Sequence, residues 1–332
     1  MTAVLVVVEH DRGILADGAG EALTAARVVA ERVGATLEAL TIGEAADGLA
    51  APMARFGVAR VHQAHHGVLD DYGPEAWGEV VAQAARHVGA TVVMATGTDR
   101  GNEVLAQAGA RLDLPMVANC TAVEAVSDAP NRPEDGELTR VRWGGSLLEA
   151  TTLDAPMRLI SVAPHAFEEA AAESPGAAEV VSFTPTLDPT LARSVVRGRV
   201  ERVAGITLAS SPVVVGGGRG VGSAEAFGPL EELAGLLGGV VGCSRAVTNN
   251  GWRNHTDQVG QTGTRIAPTV YLACGISGAI QHWVGAMAAK NIVAVNTDPN
   301  ANMVTKAGYA VIGDLHQVVP AISAEIRRRR SG

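Results

Sequence analysis

The sequence predicts an α/β protein of two domains, each a mostly parallel sheet flanked by helices in the Rossmann-like manner, and three observations carry that prediction. Short apolar runs alternate with helical apolar spacing, the pattern of strands buried on both faces and joined by crossover helices. The 332 residues suit two domains at ~150 residues each. The net charge of −9 is unevenly spread, −12 up to Gly205 and +3 beyond it, which assigns an anionic ligand to the second, shorter part. With 47% hydrophobic residues, 39 glycines and only 3% aromatics, the cores are built of Ala, Val and Leu around tight turns.

The elements of domain 1–205 follow in order. Residues 4–8 form a continuous apolar strand, 21–33 a helix, and 36–42 the next strand. Residues 59–64 read as a strand, 74–87 as a helix opening on Pro74, and 91–96 as a strand ending at the polar loop 97–101. Beyond Pro115 the pattern changes. Residues 128–136 (DAPNRPEDG) are a turn-rich loop, while 138–143 and 157–162 are expected as antiparallel additions at one edge. The Pro- and Thr-rich run 184–190 and the alternating run 193–203 read as a connector, and Ser210, Ser211 and Pro212 lead into domain 206–332.

Several function classes are excluded at this stage. No apolar stretch reaches the ~18 residues of a membrane span, and residues 1–9 enter a strand with no basic region before it. A cytoplasmic protein without membrane insertion is expected. Cys120, Cys243 and Cys274 are odd in number and scattered, against a disulfide framework or a zinc site and in keeping with a reducing compartment. The acidic total argues against nucleic-acid binding, and Arg327 to Arg330 are expected as a solvated helix end. His62, His65 and His66 follow a strand without a carboxylate at ligand spacing, so a solvated loop is expected there and no metal. Domain 1 has no nucleophile elbow and no phosphate-binding P-loop.

Domain 2 carries the chemistry. A strand from Pro212 runs into the glycine loop 216–222 (GGGRGVG), followed by a helix over 224–237. Such a loop can cradle a phosphate, with Arg219 as a bidentate donor, or can simply allow close packing. A second strand ends at Cys243, Ser244 and Arg245. The loop 258–264 then sets polar side chains between glycines, and a third strand ends at residues 275–282, where Ser277 is placed to cap a helix. The last two strands deliver Asn296 and the Gly313, Asp314, Leu315 turn. In a parallel sheet all these ends open on one edge, where ligands bind, and their number implies a long anionic ligand.

In this order and spacing, residues 258–263 (QVGQTG), 275–282 (GISGAIQH), 294–296 (AVN) and 313–315 (GDL) resemble the FAD domain of the α subunit of electron transfer flavoproteins. The likeness is close over 212–320 and extends in outline over domain 1. It implies FAD as cofactor, with AMP or a second FAD in the partner subunit, and an electron carrier in place of an enzyme. By position it implies that Arg219 binds the pyrophosphate side and that Ser244 and Arg245 lie at the flavin ring. Val259, Gly260, Gln261 and Thr262 would line the isoalloxazine and ribityl region, with Thr262 near N5. Ser277, Gly278, Ala279, Ile280, Gln281 and His282 would hold the ribityl-phosphate side, with His282 directed at the pyrimidine end. Asn296, Asp314 and Leu315 match adenosine positions.

Positive charge or hydrogen-bond donors beside the ring stabilise a reduced, anionic flavin, which makes Arg245, Thr262 and His282 the flavin-tuning residues. Domain 1 is implied to be adenine-nucleotide-hydrolase-like and to contact the partner. The implied partners are a β subunit in a heterodimer, an acyl-CoA dehydrogenase-like donor, as in fatty acid β-oxidation, and a quinone oxidoreductase-like acceptor. The chain departs from the family pattern after Asn296, reading DPNANMV at 298–304 in place of DPEAPIF, with Gly308 for a common aspartate and Asn254 for a usual proline. Other readings are an electron-bifurcating subunit, a stand-alone dinucleotide-dependent enzyme, which lacks paired acid and base residues here, and a non-redox adenine-nucleotide sensor built on domain 1.

Overall fold

A computed structural model describes residues 2–123, 137–198 and 206–331. The chain divides into two compact units, Met1–Trp143 with Leu147–Glu201 and Gly144–Ser146 with Arg202–Gly332. The expected cut after Gly205 and the expected loop 128–136 lie outside the described residues. So does the end of the connector at 199–203, and residues 193–198 have no helix or strand.

Unit 1 contains β1 (Ala3–Val7), the small hairpin β2 (His10–Asp11) and β3 (Ile14–Leu15), α1 (Ala19–Val33), β4 (Thr36–Ile42), α2 (Ala50–Ala54) and β5 (Arg60–Ala64). Then follow α3 (Pro74–Val88), β6 (Ala90–Thr96), α4 (Asp99–Leu112), β7 (Met116–Val123), β8 (Glu137–Arg142), β9 (Leu147–Thr152), β10 (Arg158–Val162) and β11 (Glu179–Phe183). The main sheet has the order β11-β5-β4-β1-β6-β10-β7-β8-β9. Both faces are covered. In β1, Val4 and Val6 join the cluster of α1 and α2, whereas Leu5 and Val7 join that of α3 and α4, which is why β1 is apolar at every position.

Four expectations are corrected here. Residues 157–162 are not an antiparallel edge addition: β10 pairs in parallel with both β6 and β7. Its Leu159, Ile160 and Val162 are buried in both clusters, as an interior strand requires. The antiparallel edge is β8 with β9, and β9 escaped the sequence pattern because its residues alternate between exposed and half-buried. The polar loop 97–101 ends early, because the Thr98 side chain accepts from the Gly101 N–H and starts α4 at Asp99. His62 does not lie in a solvated loop: it is inside β5, buried, with Nε2 2.5 Å from the buried Glu38 carboxylate, which Arg60 also contacts at 2.8 Å. The partner was out of sight because Glu38 is far along the chain and meets His62 only across paired strands. His65 likewise meets Asp47, at 2.7 Å.

Unit 2 contains β12 (Val213–Gly217), α5 (Gly228–Leu236), β13 (Val240–Cys243), α6 (Arg245–Asn249), β14 (Val270–Cys274), α7 (Ile280–Ala286), β15 (Ile292–Asn296), α8 (Asn302–Lys306), β16 (Tyr309–Ile312) and α9 (Leu315–Arg330). The five strands are all parallel, in the order β13-β12-β14-β15-β16. One face packs on Leu230 and Leu233 of α5 and Val319 of α9; the other packs on Ala286 of α7 and Met303 of α8. The helix expected over 224–237 begins as a 3₁₀ turn, Glu225–Phe227, and becomes α-helical only at Gly228, with a proline in its first turn. Arg327 to Arg330 form the exposed end of α9, where Arg328 and Arg329 reach Glu325 and Arg327 reaches Glu232. Cys120, Cys243 and Cys274 are buried free thiols. Among the described residues no cluster could hold a metal and no helix is long and apolar enough to cross a membrane.

Candidate functional site

The carboxyl ends of the five strands of unit 2 open on one edge, and the chain reverses direction across the sheet at β12. From β12 it moves outward to β13, then returns past β12 to β14, so the crevice between the β12 and β14 ends is the topological switch point where open α/β sheets take ligands. Two glycine loops flank it. The Gly218 N–H donates to the Cys274 carbonyl at 2.9 Å and the Gly220 N–H to the Gly275 carbonyl at 3.1 Å. A Cβ on Gly218 would lie 2.1 Å from the Gly275 oxygen, and one on Gly220 would lie 2.9 Å from the Gly275 Cα. These glycines therefore serve first to seat one loop on the other. Gly222, at φ +92 with open space beside it, is the part of the loop left to face a ligand.

Around that edge the expected residues divide into presented and committed groups. Arg219, Arg245, Gln261, Thr262, Ser277, Ala279, Ile280, Gln281 and Asp314 are exposed. Neither Arg219 nor Arg245 has an ion pair or side-chain hydrogen bond among the described residues, so both guanidinium groups are available to an anion. Ser244 precedes α6 without capping it, its own N–H donating to the Gly217 carbonyl at 3.0 Å. Ser277 does not cap α7 either: the helix starts at Ile280, preceded by Ala279 without a side-chain cap, and the Ser277 carbonyl instead accepts from the Met303 N–H. The reason is Gly278, at φ +75 and 2.3 Å in Cβ terms from the Met303 nitrogen, which bends the chain once more before the helix can begin.

The adenosine positions are more committed than their residue types suggest. Asn296 donates from Nδ2 to the Ile276 carbonyl at 3.0 Å and accepts from the Asp298 N–H at 3.1 Å, tying the β15 end to the glycine turn. Asp314 caps α9 through the His316 N–H at 2.9 Å. The Leu315 side chain is buried in the core and touches Gly275, so what it can offer a ligand is backbone.

The loop 258–264 is clamped against the first turns of α7. The Gln261 N–H donates to the Gln281 carbonyl at 2.7 Å and the Ile266 N–H to the Gly285 carbonyl at 2.8 Å. Gly260 and Gly285 meet backbone to backbone, with a Cβ on Gly285 only 2.3 Å from the Gly260 Cα. Val259 is buried under this contact. Gln258, which opens the motif but was not among the expected ligands, is its buried strut: Nε2 donates to the Thr262 hydroxyl at 3.0 Å while Oε1 accepts from the Thr248 hydroxyl of α6 at 2.7 Å. The sign was a long amide heading a glycine loop, a residue able to bond in two directions at once.

His282 is buried, with Nε2 2.8 Å from the hydroxyl of the fully buried Tyr271 and Nδ1 without a hydrogen-bond partner. Burial brings its pKa down to about 4, with the Val259 backbone opposing, so the ring is neutral at pH 7 and what it can offer is a hydrogen bond, not a charge. Desolvation likewise holds the Cys243 and Cys274 thiols protonated, at about 12. This edge presents two exposed arginines and one dry imidazole, and among the described residues of unit 2 no hydrogen bond joins a carboxylate to a histidine ring. At the corresponding strand ends of unit 1 the polar groups bond one another: the Thr98 hydroxyl donates to Glu9, whose pKa burial raises, and Asn102 donates to Asn119 at 3.2 Å while accepting from Ser161 at 2.5 Å.

Comparison with known proteins is consistent with this layout. The profile of the electron transfer flavoprotein domain matches residues 4–188, and that of the electron transfer flavoprotein FAD-binding domain matches residues 207–287. The chain is similar to electron transfer flavoprotein subunit alpha of Thermoanaerobacterium thermosaccharolyticum, 31% identical over 98% of each chain. It is 35% identical to the subunit of that name from Mycobacterium tuberculosis, over 99% of this chain and all of the relative. It is 34% identical to Protein FixB of Bradyrhizobium diazoefficiens, over 98% of this chain and 89% of the relative.

Proposed function

The chain belongs to the electron transfer flavoprotein α-subunit family, and from that premise we propose that it works as a heterodimer with a β subunit. In this reading it takes electrons from an acyl-CoA dehydrogenase-like flavoenzyme and passes them to a quinone oxidoreductase or comparable acceptor. It is an electron carrier, not an enzyme, and its second unit is a family FAD-binding domain. The observation that supports the reading best is the switch point of the unit 2 sheet, with Arg219 and Arg245 exposed after the neighbouring strand ends and without ion pairs among the described residues.

The donor set fits FAD. A dinucleotide needs cationic groups for its pyrophosphate, backbone donors at close range and a dry environment for its ring. Arg219 supplies the first, the Gly222 turn allows close approach although its own N–H is taken by the Arg219 carbonyl at 3.2 Å, and the unpartnered Nδ1 of His282, buried beneath the 258–264 loop, meets the third. FAD, when bound, accepts and releases electrons one at a time.

The chain's own residues then act as follows. Arg219 would take the pyrophosphate and Arg245 would oppose negative charge on the ring. Thr262, fixed by Gln258, would present its hydroxyl towards N5. Val259, Gly260 and Gln261 would form the ring wall. Residues 277–281 would line the ribityl-phosphate side through their backbone, with the neutral His282 beneath. Asn296, Asp314 and Leu315 would shape the adenosine end. The visible spectrum tests the reading: the co-purified heterodimer should show a flavin absorption that dithionite bleaches, and a colourless preparation that added FAD cannot reconstitute would overturn it.

A further inference from the structure

We propose that Tyr271 is a positioning residue, its hydroxyl donating to His282 Nε2 and so holding the imidazole as the Nδ1–H tautomer beneath the 258–264 loop. The proposal rests on the FAD reading, because that loop is the part assigned to the flavin ring.

The geometry around the hydroxyl is built for one partner. Tyr271 is fully buried in β14, and its oxygen occupies a slot that exists because the adjacent strand carries Gly216, where a Cβ would lie 2.4 Å from that oxygen. At the end of the slot is His282 Nε2, 2.8 Å away, with the two rings stacked at 6.1 Å between centroids. Counting protons then selects the tautomer. A neutral imidazole has one N–H and one acceptor nitrogen. If the proton sat on Nε2 it would donate to Tyr271, leaving the phenol O–H without an acceptor and Nδ1 bare, two buried groups unsatisfied. If it sits on Nδ1, the phenol donates to Nε2 and only the Nδ1–H lacks a partner.

The consequence is mechanical as well as electronic. His282 stands in the stretch of α7 that clamps the ring loop through Gln281 and Gly285, so fixing its ring also fixes which polar atom the loop sees. Tyr271→Phe removes that control and leaves the aromatic packing in place.

The test uses the heterodimer as purified, labelled with ¹⁵N-histidine, and reads two-bond ¹H–¹⁵N correlations, with the His282 signal assigned by its loss in His282→Gln. Wild type should show a protonated Nδ1 and a pyridine-type Nε2. Tyr271→Phe should move at least half of the population to the Nε2–H form and lower the preference for the reduced flavin by up to tenfold, ~59 mV for one electron, at unchanged FAD occupancy. An Nε2–H tautomer in wild type, an unmoved tautomer in Tyr271→Phe, or a moved tautomer with an unmoved potential would each overturn the proposal. The wild-type spectrum decides even if Tyr271→Phe does not fold. A preparation that neither contains nor takes up FAD defeats the functional reading separately, since the tautomer is read from the polypeptide.

Discussion

Replacing Gly285 by alanine sets two calculable effects against each other at the clamp between α7 and the 258–264 loop. The new Cβ would lie 2.3 Å from the Gly260 Cα, 2.4 Å from its nitrogen and 2.8 Å from its carbonyl carbon. Carbon atoms rest at about 3.5–4.0 Å, so helix and loop must part by roughly 1 Å, and no side chain can rotate to spare the backbone. Gly260 cannot step back easily: it sits at φ +143, and its N–H is bonded to the Thr264 carbonyl at 3.2 Å. Overpacking of this kind costs ~1–3 kcal/mol, whereas alanine inside a helix returns at most ~1 kcal/mol over glycine. With that return in full, steric repulsion wins by up to about 2 kcal/mol. Borne by the loop, that loss weakens FAD binding by roughly one decade per 1.4 kcal/mol; borne by the fold, it lowers the melting midpoint by about 2–4 °C per kcal/mol. Flavin fluorescence on dilution measures the first and calorimetry the second. Gly285→Ala with undiminished FAD affinity and an unchanged or raised midpoint would refute the clamp.

Three more outcomes are expected. Arg245→Ala should keep FAD bound but lower its reduction potential by up to ~59 mV, one decade for one electron; an unchanged dithionite titration removes Arg245 from the tuning. Gln258→Leu should cost about 1 kcal/mol, the low end of the range for breaking buried hydrogen bonds, because the exposed Thr262 hydroxyl can turn to water, and urea unfolding will show no loss if the strut is idle. His282, with a pKa depressed from 6.5 to about 4, is bound by protons more readily in the unfolded chain. Its contribution is therefore complete above pH 6.5 and is lost as pH falls towards 4, by ~3 kcal/mol in all at 1.36 kcal/mol per unit. His282→Gln should flatten the urea midpoint between pH 6.5 and 4, and equal slopes in the two proteins would contradict the neutral buried ring.

Much of the architecture was legible because local chemistry and global position agreed. The all-apolar β1, the proline-opened α3 and the serial strands of unit 2 are patterns in which every residue points to the same element. Misreadings arose where long-range pairing decided. The β10 run, RLISV, is nearly as buried as β1, but nothing local states that it slides between β6 and β7. Glu38 and His62 become partners only when β4 and β5 align.

The site divides along the same line. The sequence by itself determined the family, through an ordered set of short motifs, and with it which positions stand at the carboxyl edge of a parallel sheet, since topology follows from strand order and crossover rules. Tertiary structure alone decided what each position has left to offer. Arg219 and Arg245 remain uncommitted, Asn296 and Asp314 are engaged in holding turns, Leu315 belongs to the core, and the glycines of the first loop serve a neighbouring backbone before any phosphate. The physical reason is that a residue type states a capacity for hydrogen bonding or charge, whereas the partner that consumes it is set by atoms brought within ~3 Å from distant parts of the chain.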